Sequence, residues 1–289
     1  MDGRLQVVPS TTPNAVPDLL AFLSGNNGGT GRFALFVGGL TDGLMACQSY
    51  VPALQGALEQ QCQCTLVQCQ LRSAGVAFGA VSIADDVADI GDITKWLVRT
   101  HDARSIIIIG HSTGAQDAAA FAKAGAEDRL HGIVLQGPVS DRLLLESSPS
   151  TNVKENLAVA HAMVERGEGR EFMSRDVFDD IAMTAERYAS LAGRMTPDDL
   201  FSNDLSDEEL GQTIGTIPVP SLWAFSMADE YATIDQSALA ARVLQIVSRS
   251  RVVLIEGANH SLSSAPQHAL AFVDAVVHFV NDVYQTGYS

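Results

Sequence analysis

The chain is predicted to fold as an α/β protein with a mostly parallel sheet of about eight strands and helices on both faces. Three observations carry this expectation. Short apolar, β-branched runs alternate with helical patterns along most of the 289 residues, the signature of parallel strands joined by crossover helices. The run Ile106-Ile107-Ile108-Ile109 is apolar at every position, as required of a central strand covered on both faces. The composition, 46% apolar and 18% charged, supplies a large core and excludes disordered, collagenous and low-complexity classes.

Taken in order, the strands are expected at Arg4–Val8, Asp18–Leu23, Arg32–Val37, Thr65–Gln70, Ser105–Ile109, Gly132–Gln136, Ser221–Phe225 and Arg251–Ile255. Helical patterns fall at Cys47–Gln60, Ile83–Arg99, Ala115–Ala124, Gln236–Val247 and Gln267–Tyr284. In the last of these, Phe272, Val276, Phe279, Val280 and Tyr284 recur at steps of three and four, one apolar face of a helix. From Pro138 to about Ile217 this rhythm stops, and only helical pieces are expected, at Val153–Arg166, Asp176–Leu191 and Ser206–Gly211. That stretch holds sixteen acidic and seven basic residues. A long insertion between two sheet strands either decorates the surface or covers the ends of the strands. A helical lid is expected, with Leu157, Met163, Phe172, Met173, Phe178 and Met183 turned towards the site. Residues 1–289 contain no repeat and no long Pro- or Ser-rich linker, so a single domain is expected.

Charge and cysteine usage narrow the partners. With 34 acidic against 18 basic residues the net charge is −16, which repels phosphate backbones and anionic headgroups. Neither nucleic acid nor membrane is an expected partner, and no apolar run reaches the roughly 18 residues of a spanning helix. Met1–Ser10 has no long apolar core, so no secretory leader and a cytoplasmic location are expected. Cys62, Cys64 and Cys69 lie close in sequence but lack paired C-x2-C spacing and a nearby His. They are expected to be reduced, buried thiols, with Cys62 and Cys64 on one face and Cys69 on the other, and no metal.

The strongest chemical signal is Gly110-His111-Ser112-Thr113-Gly114. A G-x-S-x-G motif between a strand and a helix forces a strained turn that exposes the serine hydroxyl at the top of the sheet. A serine needs a base to take its proton and an acid to orient that base. Both follow in the order the motif requires, each after a strand. Ser226-Met227-Ala228-Asp229-Glu230 follows one strand and Glu256-Gly257-Ala258-Asn259-His260 the next. Of the carboxylates, Asp229 is expected to be the acid, Glu230 to point a different way and be free to contact solvent or the lid, and Asp235 to cap the next helix. The oxyanion donors are expected to be the backbone N–H groups of Thr113 and of Leu40, the latter after Gly38-Gly39. Neither G-x-G-x-x-G nor a P-loop lysine is present.

With these residues in place the sequence resembles an α/β-hydrolase. It resembles more closely a branch of fungal and protist proteins catalogued as a domain of unknown function. The resemblance rests on the segments Ala34–Gly43, Gly110–Asp117, Ala228–Tyr231 and Gly257–Leu262, with Gly79–Asp86 ahead of the helix before the nucleophile strand. It covers nearly the whole chain, and the insertion least. It implies Ser112 as nucleophile, Asp229 as acid and His260 as base. Some fungal members are siderophore-ester hydrolases, so the resemblance implies carboxylic-ester hydrolysis and, for some members, a hydroxamate siderophore ester as substrate. Two departures lie near the pocket: Ala232-Thr233 stands where Val-Pro follows the Asp-Glu-Tyr segment in the family. Leu71–Phe78 also lacks the family's tyrosine-and-serine character.

The expected activity is cleavage of a small-molecule ester through an acyl-enzyme on Ser112, without cofactor. The same three residues would serve an acyltransferase or an amide or thioester hydrolase. A non-catalytic receptor could use the same pocket for binding alone; turnover of a generic ester separates it from the enzymes.

Overall fold

The computed structural model describes residues 2–12, 18–25, 29–125, 127–148, 152–178, 180–233 and 235–285. Its strands are β1 (Gly3–Val8), β2 (Leu19–Ser24), β3 (Arg32–Val37), β4 (Thr65–Gln70), β5 (Ser105–His111), β6 (Leu130–Gln136), β7 (Ser221–Ser226) and β8 (Ser250–Ile255). They form one eight-stranded sheet in the order β1-β2-β4-β3-β5-β6-β7-β8. β2 runs antiparallel to both of its neighbours, and all other pairs are parallel.

Between the strands lie α1 (Val51–Cys62), α2 (Ile83–His101), α3 (Thr113–Ala124), α8 (Gln236–Ile246) and α9 (Pro266–Gln285). Side chains alternate across β5 as a strand requires. Ile106 and Ile108 join the core beneath α2, α3 and α8, while Ile107 and Ile109 join the core beneath α1 and α9. All seven residues of β5 are buried, which is why its run carries no polar alternation. α2 starts where Ser82 accepts from the Asp85 N–H and Asp85 accepts from the Ser82 N–H, a reciprocal cap. This gives the Ser of the Gly79–Asp86 segment a structural reason. α1 begins four residues later than expected, at Val51. Cys47 sits at φ +52° and Pro52 lies in the first turn of the helix, where its fixed φ and missing N–H are tolerated.

The four thiols are free. Cys62 and Cys64 pack on the α1/α9 side and Cys69 on the other, although Cys62 ends a helix instead of lying in the strand.

The insertion between β6 and β7 contains α4 (Asp141–Ser147), α5 (Val153–Glu165), α6 (Ala185–Ala192) and α7 (Asp207–Thr213). The expected helix over Asp176–Leu191 is broken. A short 3₁₀ turn spans Arg175–Val177, Phe172 bridges to Thr184, and Thr184 caps α6 by accepting from the Arg187 N–H. A β-bridge and an N-cap both need extended backbone at Thr184, so the helical pattern cannot run through it. The apolar residues expected to face the site mostly pack on one another. Met173 and Met183 are buried in a separate cluster against Phe78, with Leu157, Met163 and Phe178 at its edge, and Phe172 is exposed.

Charge pairs hold the insertion together. Buried Arg142 reaches Asp199 at 3.0 Å and also contacts Asp204 and Glu146. Arg187 pairs with Asp198 and donates to the Phe78 carbonyl at 2.9 Å. Breaking one member of such a buried pair leaves an uncompensated charge, which costs about 3–5 kcal/mol. Phe201 anchors the insertion to the sheet by meeting the buried Trp223 of β7 edge-on at 5.5 Å. Among the described residues no helix is long and apolar enough to cross a membrane.

Candidate active site

The turn between β5 and α3 places Ser112 at φ +56°, ψ −122°, a region that non-glycine residues avoid at a cost of about 1–3 kcal/mol. The neighbouring glycines allow it. A Cβ on Gly110 would lie 2.1 Å from the Gly114 carbonyl oxygen, and one on Gly114 would lie 2.4 Å from those of Val37 and Gly38. The helix behind Ser112 therefore packs directly on the end of β3. Four N–H groups at a helix start have no intrahelical acceptor; that of Thr113, the first residue of α3, is one of them.

The loop after β3 folds over the same point. Asp42 Oδ2 accepts from the Gly39 N–H at 2.8 Å, and the Asp42 N–H donates to the Gly39 carbonyl at 3.0 Å. The Gly39 N–H is thereby occupied, leaving Leu40 as the next donor on a loop whose Gly39 approaches the Ser112 Cβ too closely for a side chain. Leu40 and Ser112 line one cavity.

His260 lies in the loop between β8 and α9 and is buried. Its Nδ1 is 2.7 Å from Asp229 Oδ2, and the other Asp229 oxygen accepts from the Tyr231 N–H at 2.9 Å. The loops after β7 and β8 are stitched by the Ala228 N–H to the Ala258 carbonyl at 2.9 Å. Glu230 differs from expectation: its Oε2 accepts from the His260 backbone N–H at 2.8 Å, so it holds the loop that carries the imidazole. Asp235 caps α8, accepting from the Ser237 N–H at 2.9 Å. His260 and Ser112 line the same cavity of about 420 Å³. Among the described residues no hydrogen bond closes between them, and such bonds commonly tighten only when substrate is in place.

Residues 6–281 match the family described as Protein of unknown function (DUF1749). The chain is a DUF1749 protein. Fusarinine C esterase sidJ of Aspergillus fumigatus is 27% identical over 293 residues, covering 82% of each chain. A UPF0613 protein of Schizosaccharomyces pombe is 29% identical over 202 residues, and the match spans 65% of this chain and 62% of that one. Among solved structures, siderophore hydrolase EstB from Aspergillus fumigatus superposes with a TM-score of 0.76 at 22% identity, covering 97% of this chain and 98% of that one. An α/β hydrolase fold protein of unknown function superposes with a TM-score of 0.73 at 20% identity, covering 99% and 98%. This DUF1749 protein has the α/β-hydrolase fold.

Gln136 and Tyr50, beside the site of this DUF1749 protein, carry no local sequence signal. Gln136, at the end of β6, donates from Nε2 to the His260 carbonyl at 2.9 Å. Its Oε1 accepts from the Tyr50 hydroxyl at 3.2 Å and meets His111 Nδ1 at 2.5 Å. The His260 carbonyl can only accept, which fixes the amide orientation, so Nδ1 of His111 carries the proton. Burial pushes the His111 imidazole down to about 4, keeping it neutral. Gln136→Leu is expected to strand one buried acceptor, the His260 carbonyl, and two donors, the Tyr50 hydroxyl and the His111 Nδ1–H, and to cost about 3 kcal/mol, read as a lower urea midpoint.

Behind the loop after β3, burial raises the Asp86 carboxyl to about 7 and Asp117 well above the usual carboxylate range. One oxygen of each lacks a hydrogen-bond partner among the described residues. As for a metal, Asp42, Cys47 and His111 bring ligand atoms within 4.8 Å of one another. Burial raises the Cys47 thiol to about 12, and a thiolate is the ligating form.

Proposed function

We propose that this chain is a serine hydrolase that cleaves a carboxylic ester through an acyl-enzyme on Ser112. The observation that carries the reading is Ser112 on its strained elbow, sharing one cavity with a His260 ring whose Nδ1 is held by Asp229. With Nδ1 committed, Nε2 is the nitrogen left to take the Ser112 proton as Oγ bonds to the ester carbonyl carbon. The carbonyl oxygen becomes an oxyanion within reach of the Leu40 and Thr113 N–H groups. As the intermediate collapses, the C–O bond to the alcohol breaks and the imidazolium returns its proton to the leaving oxygen. Water then repeats the sequence: His260 takes its proton, hydroxide adds to the acyl carbon, and Ser112 leaves reprotonated as the acid departs.

The relatives named fusarinine C esterase and siderophore hydrolase point to a siderophore ester as substrate. A bound ferric ion would enter with that substrate, and the chemistry draws only on side chains and backbone. The whole chain is read as one domain, and residues 138–217 as the lid. Its contribution to the cavity is Val139, Asp141 and Leu144, near its start, instead of the methionine-rich helices expected.

A fluorophosphonate probe tests the reading, together with turnover across short-chain p-nitrophenyl esters, lipids and hydroxamate siderophore esters. Labelling is expected at Ser112 with measurable ester cleavage. Labelling at another serine, or no turnover of any ester, would overturn it.

A further inference from the structure

The loop between β3 and α1, residues 38–50, carries two unlike donors towards the end of β5. The Asp42 carboxylate, the Cys47 thiol and one ring nitrogen of His111 lie within 4.8 Å of one another. Of the four thiols only that of Cys47 is half-buried; the other three are buried. His111 is oriented from behind. Its Nδ1–H is given to Gln136 Oε1, so the free lone pair stands on Nε2. The ring carbon beside Nε2 is what a Cβ on Gly39 would meet at 3.4 Å, so that edge of the ring faces the loop carrying Asp42. A histidine that ligates a metal almost always gives its other N–H to an acceptor in this way. Asp42 has one oxygen engaged by the Gly39 N–H and the other without a hydrogen bond among the described residues.

A sulfur, an imidazole nitrogen and a carboxylate oxygen make a donor set suited to zinc. Zinc holds such donors at about 2.0–2.3 Å, which places them roughly 3.3–3.8 Å apart in a tetrahedron. Closing the loop by about 1 Å therefore completes three corners. Residues 38–50 contain no helix or strand, and Thr41, Met45 and Cys47 all sit at positive φ, so no backbone ladder resists that shift. The fourth corner opens to the cavity that Asp42 and His111 share with Ser112. Burial raises the Cys47 thiol to about 12, against the Tyr50 hydrogen bond that lowers it and with the Asp42 charge that raises it. Zinc must therefore displace a proton: the S–H bond breaks, the proton goes to water and an S–Zn bond forms.

We propose that Asp42, Cys47 and His111 form a zinc site, and that the bound ion inhibits the chemistry at Ser112. The inhibition rests on the ester-hydrolase reading; the binding does not. His260 must become an imidazolium when it takes the Ser112 proton. Its ring lies 4.8 Å from that of His111, centroid to centroid, and within electrostatic reach of Asp42. A dication held between Asp42 and His111 opposes that positive charge. It also draws on the carboxylate that pins the Gly39 N–H, and so on the loop beside Ser112.

Zinc chloride titrated into the full chain, after EDTA treatment and dialysis, tests both halves. Binding is read by competition with a chromophoric chelator and inhibition by turnover of a p-nitrophenyl ester. Turnover is expected to fall in step with occupancy of one site and to return when EDTA is added. Zinc X-ray absorption should show a sulfur neighbour at about 2.3 Å. Outer-shell partners alone are worth about 10–100-fold in metal affinity, so Cys47→Ser should raise Kd and the inhibition midpoint about a hundredfold. Asp42→Asn keeps an acceptor for the Gly39 N–H and removes the charge, and should raise both about tenfold. Each variant is read against its own zinc-free rate. A Kd unchanged in Cys47→Ser, a zinc shell without sulfur, or full turnover with the site occupied overturns this inference and leaves ester hydrolysis standing. Absence of turnover on every ester overturns the hydrolase reading and the inhibition with it, while the Kd values and the sulfur shell still decide the zinc site.

Discussion

Ser112→Ala is expected to lower ester turnover by about four to six orders of magnitude, since residues that act as one catalytic unit are lost together with any one of them. The variant should fold. Ser112 Oγ makes no hydrogen bond that the fold depends on among the described residues, and the alanine keeps the Cβ that the Gly39 loop already accommodates. Thermal unfolding and stopped-flow hydrolysis of a p-nitrophenyl ester check the two halves separately. Residual activity above about a hundredth of the parent would place the nucleophile elsewhere.

Asp229→Asn should cost about three to four orders of magnitude in kcat. The amide oxygen can still accept from the Tyr231 N–H, so the turn and the melting temperature should change little. The loss is of the anion that holds the His260 Nδ1–H and stabilises the imidazolium. Glu230→Gln should cost tenfold or less, because the glutamine oxygen can still accept from the His260 backbone N–H. A larger effect at Glu230 than at Asp229 would reverse the assignment of the acid.

The sheet was legible because burial on both faces leaves a simple trace: unbroken apolar runs such as Ile106–Ile109, with turns between them. The elbow was legible because its geometry needs glycine at two fixed offsets from Ser112. Less legible were features decided by partners far away in sequence. Gln136 is an ordinary strand residue until His260, Tyr50 and His111 converge on it. Asp42 reads as a turn residue until its carboxylate is seen pinning the Gly39 N–H beside Ser112. Glu230 was expected to be free because adjacency to Asp229 says nothing of the loop after β8 that folds back over it. In the insertion, helical periodicity over Asp176–Leu191 was real but incomplete. The cap at Thr184 and the bridge to Phe172 are tertiary choices that override local propensity. The apolar residues of that segment looked like a cavity lining because periodicity reports which face is covered and not what covers it.

The place of the insertion has a consequence for how the chain assembles. β6 and β7 are neighbours in the sheet, with Leu135 opposite Trp223, yet the whole insertion is synthesised between them. At about 5–20 residues per second, β6 waits several seconds on the ribosome for its partner. During that interval β1 to β6 can already pair, and β6 presents an open, apolar edge of the kind that recruits other chains. The strands that close it, β7 and β8, also carry the loops of Asp229 and His260. Sealing the sheet and completing the site are therefore one late event, and a nascent chain halted before it would be both inert and prone to aggregate.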